Sequence, residues 1–244
     1  MNRNIVLFMV VIAIIIVGIN VYSKDIGDFE VNYYNGAIAY KSVIEKGIGL
    51  WASKGVRGIL LRFTLINEPI EKHHAYEVNT KISINEPLFK NQNSYIQMLI
   101  IAHEVGHALG IGHWPLSQPM YNNVYYLGNK YPKTQEAYIN EVRPKTAGQI
   151  PGPPLADINL GTGSGLVHWN PDKKYGLQND IMVPGITSKS HVISIVDLMY
   201  LHETGHEVNL HSAQDSNGSY YGVLMDYLYN GSVLTACRNC AENN

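Results

Sequence analysis

The stretch "AHEVGHALGIGHW", Ala102–Trp114, holds three histidines, His103, His107 and His113. Glu104 stands beside the first and Gly110 three residues before the last. An apolar lead-in of helical spacing begins at Ser94, a residue suited to an N-cap, so the sequence predicts a helix over residues 94–109. Residues four apart on a helix lie on one face, one turn apart. His103 and His107 can therefore direct two imidazoles at one metal ion, with the Glu104 carboxylate in reach of a water held there. Zinc takes a few nitrogen ligands, leaves a position open for water when catalytic, and lowers that water's pKa. A carboxylate can then take the proton as the water attacks a carbonyl. Gly110 is the expected helix-terminating turn, because glycine permits the positive φ that such a bend requires. The third ligand then comes from beyond it, and His113 meets the local spacing.

A second H-E-x-x-H lies at "LHETGH", Leu201–His206. Gly205 falls between its two histidines, where a helix beginning at Ser194 is expected to end. His202 and His206 then no longer share a face, and the positions seven and ten after His202 are Asn209 and Ser212. This copy is read as a decoy, a helix end followed by a strand, "HEVNL".

With 45% hydrophobic and 16% charged residues over 244 positions, the chain reads as a folded protein of one large domain or two subdomains. A net charge of −2 gives no sign of a nucleic-acid partner. Residues 1–23 differ from the rest. Arg3 precedes an apolar run from Ile5 to Ile19 that can be stretched to Tyr22, a signal peptide or a signal anchor. Val21 and Ser23 are small enough to precede a cleavage after Ser23. On either reading the remainder is expected to be secreted, or membrane-anchored through residues 5–22 with its body outside the cytoplasm. Cys237 and Cys240, in the tail 237–244, suit a small-loop disulfide or idle thiols.

Residues 36–53 have helical spacing, weakened by Gly47 and Gly49. Residues 58–66 read as a buried strand, and Tyr76–Asn85 as another at an edge. Residues 115–170 are rich in Pro, Gly, Asn and Tyr and read as loop, with one helix near Thr134–Val142. "NDIMVPG", Asn179–Gly185, reads as a tight turn, and Ser194–Gly205 as a final helix. His73, His74, His191 and His211 have no partner at ligand spacing and are expected at the surface.

His103, Glu104, His107, Gly110 and His113 together meet the metzincin signature H-E-x-x-H-x-x-G-x-x-H. The chain resembles a metzincin zinc endopeptidase, most like the leishmanolysin-like group. "GTGSGLVHW" (Gly161–Trp169) resembles that group's approach to a His-Trp pair after a long insertion. "NDIMVPG" resembles its methionine turn, and Ile193–Asn209 its closing helix and strand. The resemblance implies an α+β, zincin-like fold: a twisted mixed sheet with two long helices in an N-terminal subdomain, residues 24–112, over a loop-rich C-terminal subdomain, residues 113–236. It also implies Met182 as the hydrophobic floor of the site. It makes His168 the third ligand, whereas the shorter, matrixin-like pattern makes it His113, with Met120 as the methionine. Both places hold histidine, and the downstream context favours His168.

The implied activity is hydrolysis of peptide bonds in peptide or protein substrates, with one catalytic Zn2+ and Glu104 as general base. Residues 24–36 are too short for an inhibitory domain and lack a cysteine to occupy the metal. Two other readings stand beside this one. A gluzincin-like hydrolase would need a downstream glutamate, Glu136 or Glu141, and leaves Gly110 without a purpose. A catalytically inactive zinc-site protein acting as a surface binding module would not require Glu104.

Overall fold

The computed structural model describes residues 22–68, 73–115, 117–144, 149–160, 165–186 and 191–213. The segment 1–21, most of the glycine-rich run 161–165, and the tail with Cys237 and Cys240 lie outside them. Among the described residues no helix is long and apolar enough to cross a membrane. The protein is α+β, with a mixed sheet and several helices. Its described residues divide into two compact units. One comprises the residues up to Ala52 with Gly58–Leu109; the other comprises Ser53–Arg57 and the residues from Gly110 onward.

The first unit carries a five-stranded sheet in the order β1-β2-β3-β5-β4. Strands β1 (Tyr22–Ile26) and β2 (Phe29–Tyr34) form an antiparallel hairpin turned at Gly27 and Asp28, with φ of 53° and 70°. Positive φ at both central residues is the turn geometry that matches strand twist. The candidate cleavage after Ser23 thus falls inside β1. Strand β3 (Leu60–Ile66) runs parallel to β2, with Tyr33 opposite Phe63. A parallel pair needs a crossover, and helix α1 (Lys41–Ala52), entered through a 3-10 turn at Ala37–Tyr40, supplies it.

The segment expected as one edge strand is two. Strands β4 (Ala75–Val78) and β5 (Lys81–Asn85) pair antiparallel around Asn79 and Thr80, both at positive φ. Thr80 is a poor residue for that conformation, which is why the alternation ran on through the turn when read from sequence. β5 pairs with β3, so of these two strands β4 alone is at an edge of the sheet. Helix α2 (Ser94–Ala108) packs against α1. Gly47 is what lets them close up: a Cβ there would stand 2.7 Å from the Ile101 side chain and 2.9 Å from the Met98 carbonyl oxygen. The helical propensity lost at Gly47 is exchanged for close packing. The N-cap of α2 is Asn93, whose side chain accepts from the Ile96 N–H at 3.0 Å, one residue before the expected Ser94.

The second unit has little regular structure. It holds a small hairpin, β6 (Met120–Tyr121) with β7 (Val124–Tyr125), and helices α3 (Pro132–Ala137) and α4 (Ile195–Glu203). A wider turn, Tyr138–Val142, extends α3. What reads as loop in the sequence is tied by isolated strand-like bridges, Tyr126 to Pro154, Leu155 to Trp169 and Asp180 to Val192. The expected strand "HEVNL" is absent; the chain there runs irregularly into a 3-10 turn at Leu210–Ser212. Asn209 donates its N–H to the Lys54 carbonyl, and Lys54 Nζ reaches the Ser212 carbonyl, which secures this end.

Candidate metal centre

Helix α2 sets the first two candidate ligands. The indole N–H of buried Trp51, on α1, donates to the carbonyl of Ala102 at 2.7 Å and fixes the helix one residue before His103. His103 and His107 stand one turn apart, with ring centroids 4.7 Å apart and planes at 86°. Their Nε2 atoms approach to 3.2 Å. His103 is buried and His107 half-buried.

Glu104 is also buried. Burial first, and then the Glu77 carboxylate, push its carboxyl up to about 8. A carboxyl that is costly to ionise in low dielectric is poised to carry a proton.

At the end of α2 the chain turns at Gly110, where φ is +107°. Nothing lies within 4 Å of an added Cβ, so glycine is required there for its backbone alone. The Gly110 carbonyl accepts from the Tyr200 hydroxyl at 3.2 Å.

His168 is held by its backbone. Its carbonyl accepts from the Ala156 N–H at 2.9 Å, the Leu166 N–H donates to the Ala156 carbonyl, and the Asn170 N–H to the Pro154 carbonyl. On the other side the Trp169 N–H donates to the Met182 carbonyl at 3.0 Å. Residues 166–170 therefore run between two other segments, like a strand without the length of one. The Trp169 ring stacks on Trp114 at 4.9 Å, and the Trp114 indole donates to the Leu166 carbonyl at 2.6 Å.

Ligand atoms of His103, His107 and His168 all lie within 4.8 Å of one another. Three imidazole nitrogens pointed at one spot repel when protonated and cannot all donate to each other when neutral. A cation among them satisfies all three, so the three can hold a metal ion. Among the described residues this is the one such group of histidine, cysteine and acidic side chains.

The structure brings His168, not His113, to the pair. His113 is exposed, and Met120, the methionine of the shorter pattern, is 55% exposed in β6. Met182 is fully buried and bonded through its backbone to the neighbour of His168. Neither Glu136 nor Glu141 joins the histidines.

The second H-E-x-x-H has another use. Helix α4 ends at Glu203, and Gly205 is at φ +98°. The Glu203 carboxylate accepts the backbone N–H groups of Lys133 and Thr134, at 2.9 and 2.7 Å, and the Thr134 hydroxyl at 2.5 Å. It caps the N-terminus of α3, where unpaired N–H groups favour an anion.

His73 and His211 are exposed as expected. His74 and His191 are half-buried instead, bonded to the Gln92 side chain and the Asp180 carbonyl. Two functional candidates went unseen in the sequence, Asp180 and Asp197, both buried. The spacing Ser194-x-x-Asp197 was available as a signal, since it forms a capping box at the start of α4.

Compared with protein-family models, curated proteins and solved structures, the chain matches none of them.

Proposed function

We propose that the protein is a zinc-dependent endopeptidase of the metzincin type, most like the leishmanolysin-like group. The observation that carries the reading is the convergence of His103, His107 and His168 with the buried Glu104 next to the first of them. Tetrahedral ligands at about 2.0–2.1 Å from zinc stand about 3.3 Å apart, and the 3.2 Å between the Nε2 atoms of His103 and His107 suits that arrangement. Three imidazoles also leave a fourth position open, the mark of catalytic rather than structural zinc sites.

Zinc held there would polarise the scissile carbonyl and acidify water. The chain's own residues do the rest. Glu104 takes the proton of the attacking water and returns it to the leaving amine. A divalent cation nearby favours the ionised carboxyl, opposing the burial that raises Glu104, and so brings it toward the base form near neutral pH. Met182 supplies an apolar floor. Strand β4, at the edge of the sheet with Tyr76 and Val78 exposed, offers an extended substrate a place to add as a further strand. The body of the chain works outside the cytoplasm, exported or anchored by residues 5–22.

Hydrolysis of an unfolded protein substrate, with and without a chelator, tests the reading. Activity that the chelator abolishes and zinc restores is the expected result. Zinc binding without any hydrolysis would favour the inactive binding module instead.

A further inference from the structure

We propose that Asp197 and Asp180 share one proton, Asp180 carrying it and Asp197 ionised, and that Asp197 is thereby the positioning residue for the segment bearing the third metal ligand. The inference rests on the metal site of the preceding section.

Asp197 is fully buried on α4, and donors surround it. The Trp169 indole N–H donates to its Oδ1 at 2.8 Å, and the Ser194 N–H to its Oδ2 at 3.0 Å. The Ser194 hydroxyl lies 3.4 Å from the same Oδ2. Each of these bonds favours the carboxylate. Asp180 has less. Its Oδ1 accepts the Met182 N–H at 2.7 Å, but its Oδ2 is buried and, among the described residues, finds no hydrogen-bond partner. Beside the Met182 N–H, the Asp197 carboxyl and the Ser194 hydroxyl lie against this carboxyl among the described residues.

Two buried carboxylates side by side repel, and neither can donate to the other. A proton on Asp180 Oδ2 removes the charge and turns the orphaned atom into a donor toward Asp197. Burial and the neighbouring Asp197 charge hold Asp180 well above the usual carboxylate range, while the donors around Asp197 oppose its burial and leave it at about 6. Among the described residues of the adjoining segment the titratable neighbour is His191, which donates to the Asp180 carbonyl at 3.1 Å and which burial holds below the usual imidazole range.

The consequence is positional. Asp197 grips the ring of Trp169, whose backbone is bonded to Met182 and whose predecessor is His168. Asp180 grips the Met182 N–H from the other side. The pair joins α4, the methionine turn and the His168 segment at one point. Partners that orient metal ligands typically change metal affinity about 10- to 100-fold when removed.

The two substitutions should therefore differ. Asp180→Asn copies a protonated acid, keeping a donor toward Asp197 and an acceptor for Met182, and zinc affinity by chelator competition stays within about twofold of wild type. Asp197→Asn sets an amide N–H2 against existing donors, and zinc affinity falls about 10- to 100-fold. If Asp197→Asn fails to fold, Trp169→Phe removes the same bond from the other side and should weaken zinc in the same direction. Equal losses in both aspartate variants, or unchanged affinity in Asp197→Asn and Trp169→Phe, overturn the proposal. A second readout does not depend on zinc. In the Glu104→Gln background, the infrared carbonyl band of a protonated carboxylic acid should be present at neutral pH and vanish with Asp180→Asn. No such band overturns the shared proton even where zinc binds. A band without zinc binding in any variant, wild type included, overturns the metal site and with it the positioning role, but leaves the pair standing.

Discussion

The same five-residue pattern occurs on two helices of this protein and means different things. On α2, His103 and His107 fall within a helix that continues to Ala108, so both rings share a face and their Nε2 atoms meet at 3.2 Å. On α4 the helix ends at Glu203, between the histidines, and His202 and His206 are not part of any cluster of ligands among the described residues. The glutamates diverge as well. Glu104 is buried with its carboxyl pushed up to about 8, while Glu203 spends its oxygens on the first N–H groups of α3. One glycine accounts for much of the contrast. Gly110 follows its second histidine by three residues and turns the chain after the ligands are set; Gly205 precedes its second histidine and turns the chain too early. A pattern of residue types states a function only when the helix beneath it persists.

The largest expected break in this symmetry is catalytic. Glu104→Gln should lower hydrolysis by about 10²- to 10⁴-fold while zinc stays bound, the loss typical of a missing general base. Glu203→Gln should leave hydrolysis within about twofold of wild type. Comparable losses in the two variants would end the distinction between site and decoy.

Stability should divide the other way. Glu203→Ala removes a helix cap and leaves the hydroxyl of the fully buried Thr134 without its acceptor, a cost of about 1–3 kcal/mol. Tm should fall by several degrees, at about 2–4 °C per kcal/mol for a chain of this size. Gly110→Ala and Gly205→Ala each force a side chain into positive φ, at about 1–2 kcal/mol. Only Gly110→Ala should also reduce zinc loading, which separates the turn that serves the ligands from the one that does not. Metal analysis beside thermal melts of the three variants reads both effects.

The smallest effect is on pH. A carboxyl whose folded pKa is raised holds its proton to higher pH than it does unfolded, so the folded state binds more protons above about pH 4 and stability falls as pH rises through that window. Asp180 and Asp197 both contribute in this sense, Asp197 up to about 6 and Asp180 beyond. Asp180→Asn removes one of these protons. Denaturant unfolding of metal-free protein at pH 5 and pH 8 should show a smaller loss of stability in that variant than in wild type. Equal losses would mean that Asp180 holds no extra proton.

Much of the first ligand pair was legible in the sequence. The apolar lead-in, a cap near Ser94 and the glycine at 110 define α2 to within a residue, and ligand spacing follows from helical geometry. The final helix was legible for the same local reasons, Ser194 at one end and Gly205 at the other. The third histidine was not decided by local spacing. His113 satisfies the count from His103, but what brings His168 in is long-range pairing of residues 166–170 with Pro154–Ala156 and Met182, which leaves no periodic trace. Of the two hairpin turns of the sheet, Gly27-Asp28 carries residues suited to positive φ, whereas Asn79-Thr80 was hidden by Thr80, which does not advertise it. The buried carboxyls were hidden because each aspartate reads alone as a turn or cap residue.

Bound zinc per chain, measured in wild type, His168→Ala and His113→Ala, tests the central claim most directly. The account predicts about one ion in wild type and in His113→Ala, and loss of it in His168→Ala. Zinc kept by His168→Ala and lost by His113→Ala would contradict the assignment of the third ligand, and a wild type that binds none would contradict the metal centre itself.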